Sequence, residues 1–449
     1  MSPSPPSLTS GPIGSALMRM TGPMTIGLLA NMLFNLVDTF FISMLGESEL
    51  AAMAYTYPLV FFVTGSSMGM SIGVSSVVSR ALGAGKPEEV RRLTTHSLLL
   101  GISVVLLLLA VGYPLLNPVL RAMGASEELI PLTRSYMIPW GLGIVFIVTP
   151  MLGNSVIRAT GDTRVPSLVM ILAGGLNAVL DPLLIFGWGP FPSLGIQGAA
   201  LATVAAYITV CFTMLVLLIC KYKLLHLHSV KLTRMLASWR EVLGVALPAI
   251  FTNQMIPVAN GFLTAMITQQ GKAAVAAWAV SIRLEPLMMS PFFALSTVMA
   301  PFVGQNDGAG YEDRIREGLR FCGKVCMGGG MAVWLLGVAL SPWIAPIFSD
   351  EPEVQELIRL HLLIVPFGYG AFAWKLQFTS AFNARKKPFY SSATFLGRFF
   401  LLILPFAWAG EQLAGLTGLY VGISLGNIGS LGLAGGLWIL MKRRERTLS

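Results

Sequence analysis

Apolar stretches long enough to cross a lipid bilayer follow one another through nearly the whole chain. No other feature constrains the fold as much, because a membrane helix needs about 20 apolar residues. Breaks at Gly, Pro and charge clusters separate twelve stretches: about 16–45, 51–80, 94–117, 129–157, 165–187, 198–221, 241–269, 273–303, 319–347, 354–382, 389–410 and 415–441. Several are longer than one crossing needs, which implies tilt or extension beyond the lipid. Composition agrees: 11% of residues are charged, where soluble domains carry about 25%. A secreted disulfide scaffold, a disordered chain and a nucleic-acid module are excluded. The net charge of +9 sits between the apolar stretches, so it does not indicate nucleic acid. Cys211, Cys220, Cys322 and Cys326 form no CxxC pair and read as thiols in apolar surroundings. Residues 1–12 lack a basic region, and no small-residue cleavage site follows the first stretch, which is expected to be a retained span.

Charged residues orient the spans. Arg80, Lys86, Arg91 and Arg92 follow the second span, Arg158 and Arg164 the fourth, and Lys221, Lys223, Lys231, Arg234 and Arg240 the sixth. Arg314 and Arg316 follow the eighth, Arg385, Lys386 and Lys387 the tenth, and Lys442, Arg443, Arg444 and Arg446 the last. Opposite loops carry Glu47, Glu49, Glu127, Glu128, Asp350, Glu351, Glu353 and Glu356. Basic loops stay in the cytoplasm, so both termini are expected there.

The chain also repeats itself. SRALGAGKPEEVRRL after the second span matches APFVGQNDGAGYEDRIREGL after the eighth, 225 residues on. The same offset pairs Pro23 with Pro248, Asn35 with Asn260 and Gly46 with Gly271. RATGDTRVP (158–166) resembles SAFNARKKP (380–388) at an offset of 222. Two six-span halves in one orientation follow: residues 1–221, a cytoplasmic linker at 222–240, and residues 241–449. Such parallel repeats place a substrate path between the halves. Gly-Ala-Gly-Lys at 83–86 lacks the ending of a phosphate loop and reads as a turn. No ATP motif is present, so active transport would run on an ion gradient.

Three carboxylates remain deep in spans: Asp38, Asp181 and Glu285. Mid-membrane carboxylates are costly, which makes each a functional candidate. Asn31, Asn35 and Asp38 share a helix face, as do Asn177 and Asp181. Tyr136 and Asn154 lie 18 residues apart, five turns, and also face one way. Thr203 lies in the small-residue stretch GAALAT. At the repeat offsets, Asp38, Asn154, Asn177 and Asp181 become Leu263, Leu376, Phe399 and Ile403. The second half keeps the frame and drops this polar set. Asp181 precedes Pro182, which disfavours helix at 181 and would place it at a helix end near the outer surface. Glu285 is expected to pair with Arg283 or Lys375; with Asn31 and Arg283 it is a candidate for the substrate cavity. Lys375 and Arg398 are intramembrane cations in need of partners.

LLANMLFNLVDTFFISMLGESELAAM, ALGAGKPEEVRR, RATGDTRVP, GGLNAVLDPLLIFG and VGQNDGAG together resemble the multidrug and toxic compound extrusion (MATE) family over essentially the whole chain. The resemblance implies an all-α membrane protein with twelve helices in two six-helix lobes. It also implies cation-coupled export of cationic or amphipathic drugs. Prokaryotic members with an amino-terminal cation site use residues matching Asp38, Tyr136, Asn154, Asn177, Asp181 and Thr203; Asn35 joins them on its shared face with Asp38. No deep carboxylate stands in the seventh or tenth span, which speaks against a second sodium site in the carboxyl-terminal half.

The expected function is therefore drug/proton antiport without a cofactor. Sodium held by Asp38, Asn177, Asp181 and Thr203 is the alternative coupling. The protein is expected to be a monomer in a bacterial or archaeal inner membrane, in contact with lipid and with small-molecule drugs. A lipid-linked saccharide flippase would want a cationic cavity, which only Lys375 and Arg398 recommend. A channel is disfavoured by the absence of pore-lining charge rings, and an enzyme by the absence of a nucleophile–base or metal-spaced set.

Overall fold

The structure, a computed structural model, describes residues 8–225 and 232–448. His226, His228 and Lys231 of the expected linker lie outside the described residues.

Helices account for every span. In the first half they are α1 (Ile13–Ser43), α2 (Glu47–Gly83), α3 (Pro87–Ala122), α4 (Leu129–Ala159), α5 (Arg164–Ile185) and α6 (Ile196–Val216). A π-helical turn, Leu217–Lys221, continues α6. In the second half they are α7 (Leu232–Thr268), α8 (Lys272–Gly308) and α9 (Glu312–Phe348). The tenth span is α10 (Pro352–Ile364), a 3-10 turn at Val365–Gly368, and α11 (Tyr369–Ala384). Then come α12 (Pro388–Leu396), a π-helical stretch at Gly397–Ile403, and α13 (Leu404–Leu448). The last apolar run, Pro388–Thr447, has 60 residues. At ~1.5 Å per residue it would be about three times too long for one crossing. It breaks at Ala414 (φ −146°) and Gly415 (φ 56°). The break divides it into two spans, which makes twelve in all. Gly410 and Gly418 have no side chains, and a Cβ on either would strike the other's carbonyl, so the chain can turn back tightly there.

The repeat is visible in the turns. Gly85 (φ 68°) and Gly310 (φ 79°) hold equivalent left-handed positions after α2 and α8. Lys86 N–H then bonds the Ala81 carbonyl (3.1 Å) and Tyr311 N–H the Asn306 carbonyl (2.8 Å). This is the six-to-one closure that a glycine past a helix end permits. The Gly-Ala-Gly motif is thus a helix stop.

Two compact units form, one from Pro23–Ile250 and one from Leu8–Gly22 together with Phe251 onward. They do not follow the expected boundaries at 221 and 241. Helix α7 already starts at Leu232, and its Val242 and Ala246 pack into the first unit's core beside Val74 and Val77. Leu17 and Met20 of α1 pack into the second unit's core with Phe302 and Phe372. In the first unit α4 packs on α2, α3, α5 and α6; in the second, α11 packs on α8, α9, α12 and α13.

The two motifs at the 222 offset tie helix ends together. Asp162 Oδ1 accepts from Arg164 N–H (2.9 Å) and Val165 N–H (3.2 Å), capping α5. Its other oxygen accepts 2.6 Å from the Tyr222 hydroxyl beyond α6. Burial, then this bond, raises the Tyr222 phenol above its ordinary pKa. In the second unit Arg385 pairs with Glu312 (2.7 Å), Glu445 (3.0 Å) and Asp307 (3.4 Å). Lys442 completes the network with Glu312 (2.7 Å) and Glu445 (3.0 Å).

Candidate cation-coupling site

The site is built inside the first unit on α1, α4, α5 and α6. Glycines bring these helices close. A Cβ at Gly174 of α5 would strike the Phe34 ring of α1. One at Gly27 would stand 3.0 Å from the Ser167 backbone of α5, and one at Gly198 of α6 would strike the Leu184 carbonyl. Small residues at such points let membrane helices approach. They set α1 against α5 four residues before Asp38, and α5 against α6 three residues after Asp181.

Asp181 is fully buried, 0% exposed, and α5 runs through it to Ile185. The expected helix opening does not occur: Asp181 is buried within α5, one turn before its end at Ile185. Pro182 has no N–H to give the Ala178 carbonyl, and the packed segment stays helical despite that loss. Asn177 Nδ2 donates to Asp181 Oδ1 at 3.0 Å and to Thr203 Oγ1 at 3.4 Å. The expected Asn177–Asp181 face and the α6 threonine therefore form one hydrogen-bonded group. Tyr136 and Asn154 are both buried on α4. The Tyr136 phenol interacts electrostatically with both Asp38 and Asp181, and the two carboxylates interact with each other.

Two buried carboxylate oxygens in this group accept no hydrogen bond, Asp38 Oδ1 and Asp181 Oδ2; Asn154 Oδ1, five turns from Tyr136 along α4, is a separate buried oxygen without one. An unsatisfied buried acceptor costs about 1–3 kcal/mol. Acceptor-only carboxylate oxygens on α1 and α5 suit a proton or a small hard cation, which would satisfy them. Two carboxylates out of water cannot both remain ionised cheaply.

The rest of the expected polar set lies elsewhere. Asn31 and Asn35 are exposed, and Asn35 donates to the Asn31 carbonyl at 2.8 Å within α1. Asn35 and Asp38 do share a face, about 60° apart around the helix, but the buried strip of α1 is narrower than that face and leaves Asn35 exposed. In the second unit Arg283 is exposed and Glu285 is half-buried. Neither Arg283 nor Lys375 forms the expected ion pair with Glu285 among the described residues; Arg398 is the cation it interacts with. Arg283 is two residues from Glu285, so it points to another side of α8. Gly174 and Phe34, which set the α1–α5 distance, carry no charge or polar signal along the chain by which the sequence could mark them.

Gly174 provides a test that touches no polar group. Gly174→Ala should destabilise the protein by about 1–3 kcal/mol, the usual cost of overpacking. Thermal unfolding in detergent should show Phe34→Ala restoring most of that loss in the double variant. Additive losses would mean that the helices do not meet there.

Comparison with known proteins reaches the same fold. The MatE family model matches twice, over residues 23–183 and 248–409, starting at the proline pair that the repeat aligned. A curated relative, the FAD transporter of Shewanella oneidensis, is 35% identical over 421 residues, covering 94% of this chain and 93% of that one. The multidrug export protein MepA of Staphylococcus aureus is 24% identical over 361 residues, covering 79% and 77%. Among solved structures, the Vibrio cholerae MATE transporter VcmN in its bent form superposes with a TM-score of 0.91 at 30% identity, covering 97% of this chain and 98% of that one. Two family-model matches, a twelve-helix chain and a relative above 30% identity over almost its whole length establish that this multi-pass membrane protein belongs to the MATE family of transporters.

Proposed function

We propose that the protein exports amphipathic aromatic compounds from the cytoplasm in exchange for a cation, with the proton as coupling ion. The observation that carries this reading is the pair of interacting carboxylates Asp38 and Asp181, each with an unsatisfied acceptor oxygen, beside Tyr136, Asn177 and Thr203. Protonation from the outside would neutralise the carboxylates and favour drug release. Deprotonation toward the inside would restore the charge and favour drug binding. A proton moving down one pH unit supplies 1.36 kcal/mol, about tenfold in drug gradient per proton. Sodium, the alternative ion, would use Asp38, Asn177, Asp181 and Thr203 as oxygen ligands. Both termini are placed in the cytoplasm by the basic loops, in a prokaryotic inner membrane, and the chain acts as a monomer.

The test is ethidium efflux from proteoliposomes under a pH gradient or a sodium gradient, for the wild type and Asp38→Asn. Efflux driven by pH and lost in the variant is the expected result. Efflux driven by sodium alone would move the same residues to metal coordination. An Asp38→Asn protein that still concentrates ethidium would sink both versions.

A second reading concerns the substrate. The 35% identical relative is named for FAD transport. FAD is aromatic like the drugs but carries a pyrophosphate, so an exported flavin is the substrate class to set against ethidium. FAD loaded inside the same vesicles should then leave faster than riboflavin.

A further inference from the structure

The second unit holds a group of charges that the coupling site does not use. Lys375 of α11 is 1% exposed, and Arg398, on the π-helical stretch Gly397–Ile403, is 7% exposed. Half-buried Glu285 interacts electrostatically with Arg398. Yet among the described residues no ion pair within 4.0 Å joins any of these three to a partner. Arg398 donates from Nε (3.0 Å) and Nη2 (2.8 Å) to a single neutral oxygen, Asn427 Oδ1. Its guanidinium lies 3.8 Å from the Phe372 ring centre. Lys375 Nζ has aromatic faces for neighbours, Phe395 at 5.7 Å and Phe372 at 5.8 Å. The Tyr369 hydroxyl is buried and makes no hydrogen bond.

Lys and Arg are donors only. A buried cation without an anion is strongly unfavourable, so a pair of them sharing an aromatic face is an arrangement short of negative charge. Phosphate supplies that charge, and its several acceptor oxygens suit a guanidinium, an ammonium and a phenol together. The aromatic faces suit a ring carried on the same molecule. The helices are irregular here: the 3-10 turn Val365–Gly368 ends just before Tyr369, and the π-helical stretch carries Arg398. Such irregularities recur at functional sites and mark points where a span bends. At the 222 offset Lys375 and Arg398 fall at 153 and 176, each one residue before Asn154 and Asn177 of the coupling site. The second half thus places cations in the layer where the first half places its cation-binding group.

We propose that Lys375 and Arg398, with the Tyr369 hydroxyl, form an anion subsite that binds the phosphate of a soluble aromatic phosphate ester. The proposal rests on the export reading above and adds to it the charge of one substrate class. A lipid headgroup offers the same phosphate chemistry, and the test separates the two sources.

Equilibrium dialysis of the detergent-purified protein compares flavin mononucleotide with riboflavin, which share a ring and differ by the phosphate. The expected result is affinity for the mononucleotide about tenfold or more above riboflavin, in line with one charge-assisted contact. Lys375→Gln should reduce the ratio to near one, Lys375→Arg should keep it, and short-chain phosphatidic acid should not compete. Equal affinities in the wild type, a ratio unchanged by Lys375→Gln, or displacement by the lipid phosphate would each overturn the proposal. If Lys375→Gln does not fold, the wild-type comparison and the Lys375→Arg ratio still decide it. No ion gradient enters the assay, so failure of the coupling reading leaves it standing. Uphill efflux alongside equal affinities would remove this subsite alone.

Discussion

Asp181→Asn should abolish concentrative export while leaving the protein folded and able to bind drug. Asp181 is the most enclosed member of the coupling group: no solvent reaches it, one oxygen is held by Asn177 and the other has no partner. Asn is close to Asp in shape and fills the same space, but it cannot exchange a proton in the working pH range. With two pH units imposed across the vesicle and one proton per drug, the wild type should approach a drug ratio of about one hundred. The variant should settle near equal concentrations. Steady-state ethidium in proteoliposomes reads this directly, and direct binding separates lost coupling from lost affinity. A variant that still builds a ratio above about ten would show that Asp181 does not carry the transported charge.

Arg385→Gln should lower stability by about 3–5 kcal/mol, the usual cost of removing one partner from a buried ion network. Arg385 is 9% exposed and is the common partner of Asp307, Glu312 and Glu445. Without it, Lys442 alone faces Glu312 and Glu445. Two carboxylates then share Lys442, Asp307 loses its Arg385 contact, and the ends of α8, α9 and α13 repel. Thermal unfolding in detergent should show the loss, with part of it recovered at high salt, where repulsion among the partly exposed carboxylates is screened. A change below about 1 kcal/mol, the range of exposed pairs, would mean that the network is solvated.

The same residue shows where charge counting along the chain falls short. Arg385 stands in a run of three cations between apolar spans. The run carries no sign that one of its members turns inward onto acids 60 to 78 residues away in sequence. Asp162 in the matching first-half motif is similar. Its role as helix cap follows from its place before α5, whereas its bond to Tyr222 depends on how α5 and α6 pack.

The coupling group was legible where helical spacing alone sets a face. Asn177 and Asp181 are four apart and do bond each other; Tyr136 and Asn154 are both buried on α4. Spacing misled on α1, where a face broad enough to include Asn31, Asn35 and Asp38 is wider than the buried strip, and only Asp38 has a buried oxygen. It misled again at Pro182. Local backbone preference predicts an opening, and packing against α6 through Gly198 keeps the helix closed.

The sequence by itself determined the class of fold, the apolar spans, the duplication, and the half that carries Asp38 and Asp181. Each depends on composition, on periodicity or on charge at the membrane surface, and these act along the chain. The tertiary structure decided which polar residues meet, that Asp181 lies inside the unit, that α1 and α7 each contribute to the core of the other half, and that Lys375 and Arg398 share an aromatic face without a close ion pair. Those outcomes depend on distances between helices, and the distances are set by where a missing Cβ lets two backbones approach.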